Sequence, residues 1–179
     1  MTTSKKKCVL RRLVYSAVCL ALCMVLPLLT GQIPEIGSML SPMHIPVLLC
    51  GFLCGPWYAL AVGAVAPLLR FLIFSMPPIY PTGIAMCFEL AVYGAVSGLL
   101  YQALPKKTGN IYLSLIAAML AGRIMWGAVR AVISGAGGAA FTWQLFFAGA
   151  FVQAAPGIVL HIVLIPLVVL ALRRAKLMD

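Results

Sequence analysis

Between Ser41 and Glu89 the chain runs for almost fifty residues of near-unbroken apolar sequence, and of the Asp, Glu, Lys, Arg and His side chains it contains only His44, Arg70 and Glu89. Each of these three is costly to place in lipid without a partner or a ligand. The stretch therefore sets the environment of the whole chain and marks where its function is to be sought.

The rest of the sequence agrees. Of 179 residues, 64% are hydrophobic and 9% charged, against roughly 25% charged in a soluble domain. This is the composition of an integral membrane protein. The net charge of +10 does not point to nucleic acid: Lys5, Lys6, Lys7, Arg11, Arg12, Lys106, Lys107, Arg173, Arg174 and Lys176 all flank apolar spans, where basic residues act as a topology signal. No basic patch interleaved with aromatics argues for RNA or DNA. The N-terminal apolar run ends in Pro27 and Gly31 without a small-residue cleavage site, so it reads as a retained helix rather than a signal peptide. Cys8, Cys19, Cys23, Cys50, Cys54 and Cys87 lie almost entirely inside apolar runs and read as small hydrophobes.

A membrane helix needs about 20 apolar residues, fewer when buried among neighbours. Six spans result: Leu13 to Thr30, Met43 to Cys54, Trp57 to Phe74, Thr82 to Ala103, Ile111 to Ile133, and a last one that starts between Thr142 and Gln153 and ends at Leu172. The second is short, because Gly55-Pro56 breaks a 33-residue run too long for one crossing. Met76-Pro77-Pro78-Ile79-Tyr80-Pro81 forms a loop, since proline removes donors and restricts the residue before it. With both termini cytoplasmic, all ten flanking basic residues fall inside, and the outer loops at 31 to 42, 75 to 81 and 134 to 141 carry no Lys or Arg. The expected fold is one all-α domain over 1–179, a bundle of six transmembrane helices with helix 2 short, in a multi-pass protein of the cell membrane.

Small residues recur at Ala17-xxx-Ala21, Gly51-xxx-Gly55, Ala59-xxx-Gly63, Gly94-xxx-Gly98 and Ala118-xxx-Gly122, a spacing that lets helix backbones approach closely in lipid. Packing within the chain accounts for most of them.

Topology turns residue number into depth. Arg70 falls roughly 6 to 8 Å below Ser75, and Glu89 roughly 10 to 12 Å below Pro81, at 1.5 Å per residue. His44, Arg123, Arg130 and Gln153 join them in the outer half of the bundle. Arg70 and Arg130 are close enough to the interface to snorkel, and Glu89 has a structural ion pair with Arg70 or Arg123 as its competing role. His44 is alternatively a cap, and His161 a packing residue. The three arginines outnumber Glu89 by two charges, which favours a carboxylate-bearing ligand that a guanidinium can hold bidentately. Glu89 equally suits the amidine-like edge of a pterin or purine. Trp57, Tyr80, Trp126 and Trp143 supply interfacial anchors or stacking surfaces.

No His-Glu-x-x-His, Gly-x-Ser-x-Gly or phosphate-loop sequence is present, so no catalytic residue, cofactor or own energy source is expected. Cys19-xxx-Cys23 and Cys50-xxx-Cys54 lack the accompanying His or charge of a metal site.

Ser41-Pro-Met-His-Ile-Pro-Val-Leu-Leu-Cys-Gly-Phe-Leu-Cys-Gly-Pro56, Pro67-Leu-Leu-Arg70, Met76-Pro-Pro78, Phe88-Glu-Leu-Ala-Val-Tyr-Gly94 and Ala117-Ala-Met-Leu-Ala-Gly-Arg123 together resemble the substrate-binding S components of energy-coupling factor (ECF) vitamin transporters of bacterial plasma membranes. The resemblance implies high-affinity capture of a vitamin at the outer face, beneath loops 1, 3 and 5. It implies partnership with a transmembrane coupling protein and two ATPase subunits, and a toppling motion for release. It also implies a coupling surface of small residues on helix 1, which maps onto Ala17 and Ala21. Arg70, Glu89, Arg123, Arg130, His44 and Gln153 are the candidate substrate contacts, with pantothenate or another carboxylate-bearing vitamin the first expectation and folate-like or deazapurine compounds the next. Replacing Arg70 or Glu89 by Ala is expected to abolish binding. The alternative is a stand-alone secondary transporter or channel, which needs a polar pathway that the inner halves of the helices, with few polar groups besides Ser114 and His161, do not offer.

Overall fold

The computed structural model describes residues 3–29, 33, 37, 39–136, 142–176 and 178, and among these there is no strand. Helix α1 (Thr3–Leu29) is followed by α2 (His44–Cys54), α3 (Pro56–Phe74), α4 (Ile84–Ala103), α5 (Thr108–Ala136), the short α6 (Trp143–Phe147) and α7 (Ala155–Arg174). Five helical segments are long and apolar enough to cross a membrane, and α2 is a shorter apolar helix. The six apolar segments read from the sequence are all helical. The chain is an all-α membrane protein.

Boundaries differ where polar residues extend a helix beyond the hydrocarbon. Helix α1 begins at Thr3, ten residues before Leu13. The last span begins at Trp143 and runs through a wide turn, Ala148–Val152, before α7 starts with Pro156 in its first turn. Proline suits that position, since no N–H is needed there. Ahead of α4, the proline-rich loop ends in one irregular turn, Ile79–Gly83, with Tyr80 extended.

Helix α4 is central, packed against α2, α3 and α5. The α3–α4 approach is so close that a Cβ added at Gly94 would lie 2.5 Å from the Ala59 carbonyl oxygen, and one at Gly63 2.3 Å from that of Leu90. Glycine permits this contact between backbones. The small-residue spacings on α2 to α5 are thus spent on internal packing, whereas Ala17 and Ala21 on α1 are exposed.

Arg11, Arg12, Lys106 and Met178 line one cavity, and Arg173 bonds to Lys106, so the start of α1, the α4–α5 turn and the end of α7 share one end of the bundle. Cys54 and Gly55 line the same cavity. Helix α2 therefore ends at this basic end. Its 11 residues rise only about 16 Å, half of a roughly 30 Å hydrocarbon core, so its first residue, His44, lies near mid-depth.

Candidate functional site

Four helices deliver polar side chains to one depth. Counting from the basic end at 1.5 Å per residue, His44 is about 15 Å from Cys54, Glu89 about 18 Å from Tyr101, Arg123 about 22 Å from Thr108, and His161 about 18 Å from Arg173. Packing then brings them together. His44, Glu89, Arg123 and His161 are 3, 2, 7 and 1% exposed.

The Glu89 carboxylate is the hub. Its Oε1 lies 3.0 Å from Arg123 Nη1 and 3.4 Å from His44 Nε2. A lone carboxylate this deep is costly, and an adjacent guanidinium offsets much of that cost. Tyr93, one turn after Glu89 and so on the same face of α4, hydrogen-bonds with Arg123 and meets the His44 ring edge-on at 5.0 Å. The His161 ring stacks on His44 at 6.1 Å and hydrogen-bonds to the Ser41 backbone. Residues from α2, α4, α5 and α7 thus form one polar cluster in an apolar bundle.

The cluster is not saturated. His44 Nδ1, His161 Nε2 and Arg123 Nε are buried without a hydrogen-bond partner, and neither the His44 nor the Arg123 approach to Oε1 has hydrogen-bond alignment. Buried polar atoms are nearly always satisfied in folded proteins. Such a set can offer donors and acceptors to a small polar molecule enclosed between the helices. Among the described residues no group of three or more His, Cys, Asp or Glu is placed to hold a metal ion.

Of the sequence-derived candidates, the structure brings together His44, Glu89 and Arg123, and the ion-pair partner of Glu89 is Arg123 rather than Arg70. Arg70 is buried but faces α1: Nη1 donates to the Met24 carbonyl at 3.1 Å, and the guanidinium lies 5.1 Å over the Phe74 ring. Arg130 lies 5.7 Å over the Trp126 ring, beside an aromatic group of Trp143, Phe146, Phe147 and Phe151. Gln153 is exposed. Tyr93 and His161 join the cluster although the sequence reading chose neither; the i, i+4 spacing of Tyr93 from Glu89 was the available signal, and His161 had none but its polarity.

The family model described as "ECF transporter, substrate-specific component" matches residues 11–169. No curated protein and no solved structure gives a significant match.

Proposed function

The chain belongs to the family of ECF transporter substrate-specific components, and from that premise we propose that the cluster of His44, Glu89, Tyr93, Arg123 and His161 is where this chain captures its substrate for import. As a member of that family it is a membrane-embedded transport component that works with the other parts of an ECF transporter. In our reading those parts are a transmembrane coupling protein and two ATPase subunits, and the exposed Ala17 and Ala21 on α1 face the coupling protein. The basic end of the bundle faces the cytoplasm, which opens the cluster to the outer side.

The observation that carries the reading is the buried Glu89 carboxylate held between Arg123 and His44, with ring and guanidinium nitrogens left unpartnered around it. Because Arg123 balances Glu89, the cluster suits a flat heterocycle carrying both donors and acceptors, of the folate-like or deazapurine kind, that can bond to a carboxylate and stack between rings. A second reading, a carboxylate-bearing vitamin such as pantothenate, is supported by Arg130, whose Nε is buried without a partner. Native mass spectrometry of the freshly purified chain distinguishes them: a co-purified heteroaromatic compound lost in Glu89→Gln supports the first, and an aliphatic carboxylate lost in Arg130→Gln supports the second. Retention of the same compound by Glu89→Gln, Arg123→Gln and His161→Ala overturns the assignment of the site.

A further inference from the structure

We propose that His161 selects the substrate: it offers a hydrogen-bond acceptor of fixed polarity, so that the ligand captured at the Glu89 cluster presents two adjacent N–H donors and a carbonyl on one edge, as a 2-amino-4-oxopyrimidine ring does. The inference rests on the reading of that cluster as the capture site and adds which residue chooses among ligands there.

The tautomer of His161 follows from the backbone it touches. The imidazole hydrogen-bonds to the Ser41 backbone. The Ser41 N–H is committed elsewhere, donating to the Gly37 carbonyl at 2.9 Å, and the Ser41 carbonyl accepts the His44 N–H at 3.0 Å. A carbonyl oxygen has a second lone pair, so the imidazole donates to it. Nε2 is the ring nitrogen left without a partner, and the donor is therefore Nδ1–H. Gly157, one turn earlier on α7 and so on the same face, permits the contact. A Cβ there would lie 2.6 Å from the Met39 carbonyl oxygen, so α7 packs directly on the backbone that leads into α2.

An imidazolium at 1% exposure would need a carboxylate of its own, and the charge of Glu89 is matched by Arg123 at 3.0 Å. His161 is thus neutral, and with its proton on Nδ1 it can accept at Nε2 but not donate there. The polarity of the unpartnered atoms follows. Glu89 Oε1 and His161 Nε2 are acceptors, Arg123 Nε is a donor, and all three are buried without a hydrogen-bond partner. The two acceptors flank the His44 ring, with Glu89 Oε1 3.4 Å from its Nε2 and the His161 ring stacked at 6.1 Å. A complementary ligand carries two donors for each acceptor. A ring N–H, its neighbouring amine and a carbonyl supply that set, whereas a carboxylate group, which only accepts, would face two lone pairs.

Isothermal titration calorimetry of the purified full-length chain tests this with two pairs of probes, pterin against lumazine and 7-deazaguanine against 7-deazaxanthine. In each pair the second member carries a carbonyl in place of the 2-amino donor. In any pair that binds, the amino member binds at least about tenfold tighter, because its rival sets an acceptor against a buried acceptor. His161→Asn, whose amide still reaches for the Ser41 carbonyl but has nothing at the Nε2 position, loses the preference to within about threefold. His161→Gln, which can place an amide oxygen near that position, recovers most of it. Equal binding of both members by the unmodified chain, a comparison that needs no variant to fold, overturns the inference; if Glu89→Gln then fails to bind them, the capture site stands without it. A preference that survives in His161→Asn overturns the role of His161, and binding of none of the four probes overturns the assignment of the ligand edge. Undiminished binding by Glu89→Gln overturns the reading of the cluster itself.

Discussion

Arg123 Nη1 lies 3.0 Å from Glu89 Oε1 across the α4–α5 contact, with both side chains almost wholly buried. Removing one member of such a pair strands the other's charge, at a cost of about 3–5 kcal/mol. Glu89→Gln is therefore expected to lower the unfolding temperature sharply and to abolish retention of the co-purified ligand. Glu89→Gln with Arg123→Gln should regain much of the stability, since no charge is stranded, but not the ligand. Thermal unfolding in detergent, read beside native mass spectrometry, checks both. A double variant no more stable than the single one would show that the two charges are not coupled.

Arg70 makes the opposite prediction. The sequence reading expects its replacement to abolish binding, but its guanidinium is committed to the Met24 carbonyl and the Phe74 ring. Arg70→Met should keep the ligand within about threefold and lose roughly 1.5–3 kcal/mol of stability, the worth of a hydrogen bond to a charged group. Ligand loss at undiminished stability would return Arg70 to the substrate site.

The sequence alone leaves Arg70 and Arg123 both open as partners of Glu89. Depth along a membrane helix follows from residue count, and the depths of Glu89 and Arg123 were legible because bilayer thickness and rise per residue fix them, whereas His44, expected in the outer half, lies near mid-depth because α2 has only 11 residues. The direction a side chain faces around the helix axis is set by which neighbour lies there, and that depends on tertiary packing. Arg70 faces α1 and bonds to the Met24 carbonyl, a relationship between residues 46 positions apart that no local pattern encodes. Helices α2 to α5 were legible to within a few residues because Gly55-Pro56, the proline run at 76–81 and Pro105 punctuate them. The irregular turn at Ala148–Val152 was not, since it lies in apolar sequence that a helix would accept equally well, and the prolines that mark a loop at 76–81 do not reveal the single turn, Ile79–Gly83, that ends it.

Close approach of α3 and α4 gives a test of packing independent of any ligand. At Gly94 a methyl group would meet the Ala59 backbone, which cannot step aside as a flexible side chain could. Gly94→Ala should cost about 1–3 kcal/mol through overpacking. Gly109→Ala, where an added Cβ meets nothing within 4 Å, should be neutral or slightly stabilising, because alanine is the better helix former. Equal unfolding temperatures for the two variants would refute the close contact.

Orientation decides from which side the Glu89 cluster is filled. Lys106, Arg11, Arg12 and Arg173 share one end of the bundle, and the loop at 75–81 carries no basic residue, so the positive-inside rule places the first in the cytoplasm and the second outside. Exposed positions at both ends allow a direct measurement: Lys107 on the α4–α5 turn and Tyr80 in the proline-rich loop. Cys8 and Cys87 are partly exposed and are replaced by Ser to lower background. In that setting Tyr80→Cys should react with a membrane-impermeant maleimide in intact cells, and Lys107→Cys only after permeabilisation. The reverse pattern would put the basic end outside and turn capture from the exterior into capture from the cytoplasm, which an import component cannot use.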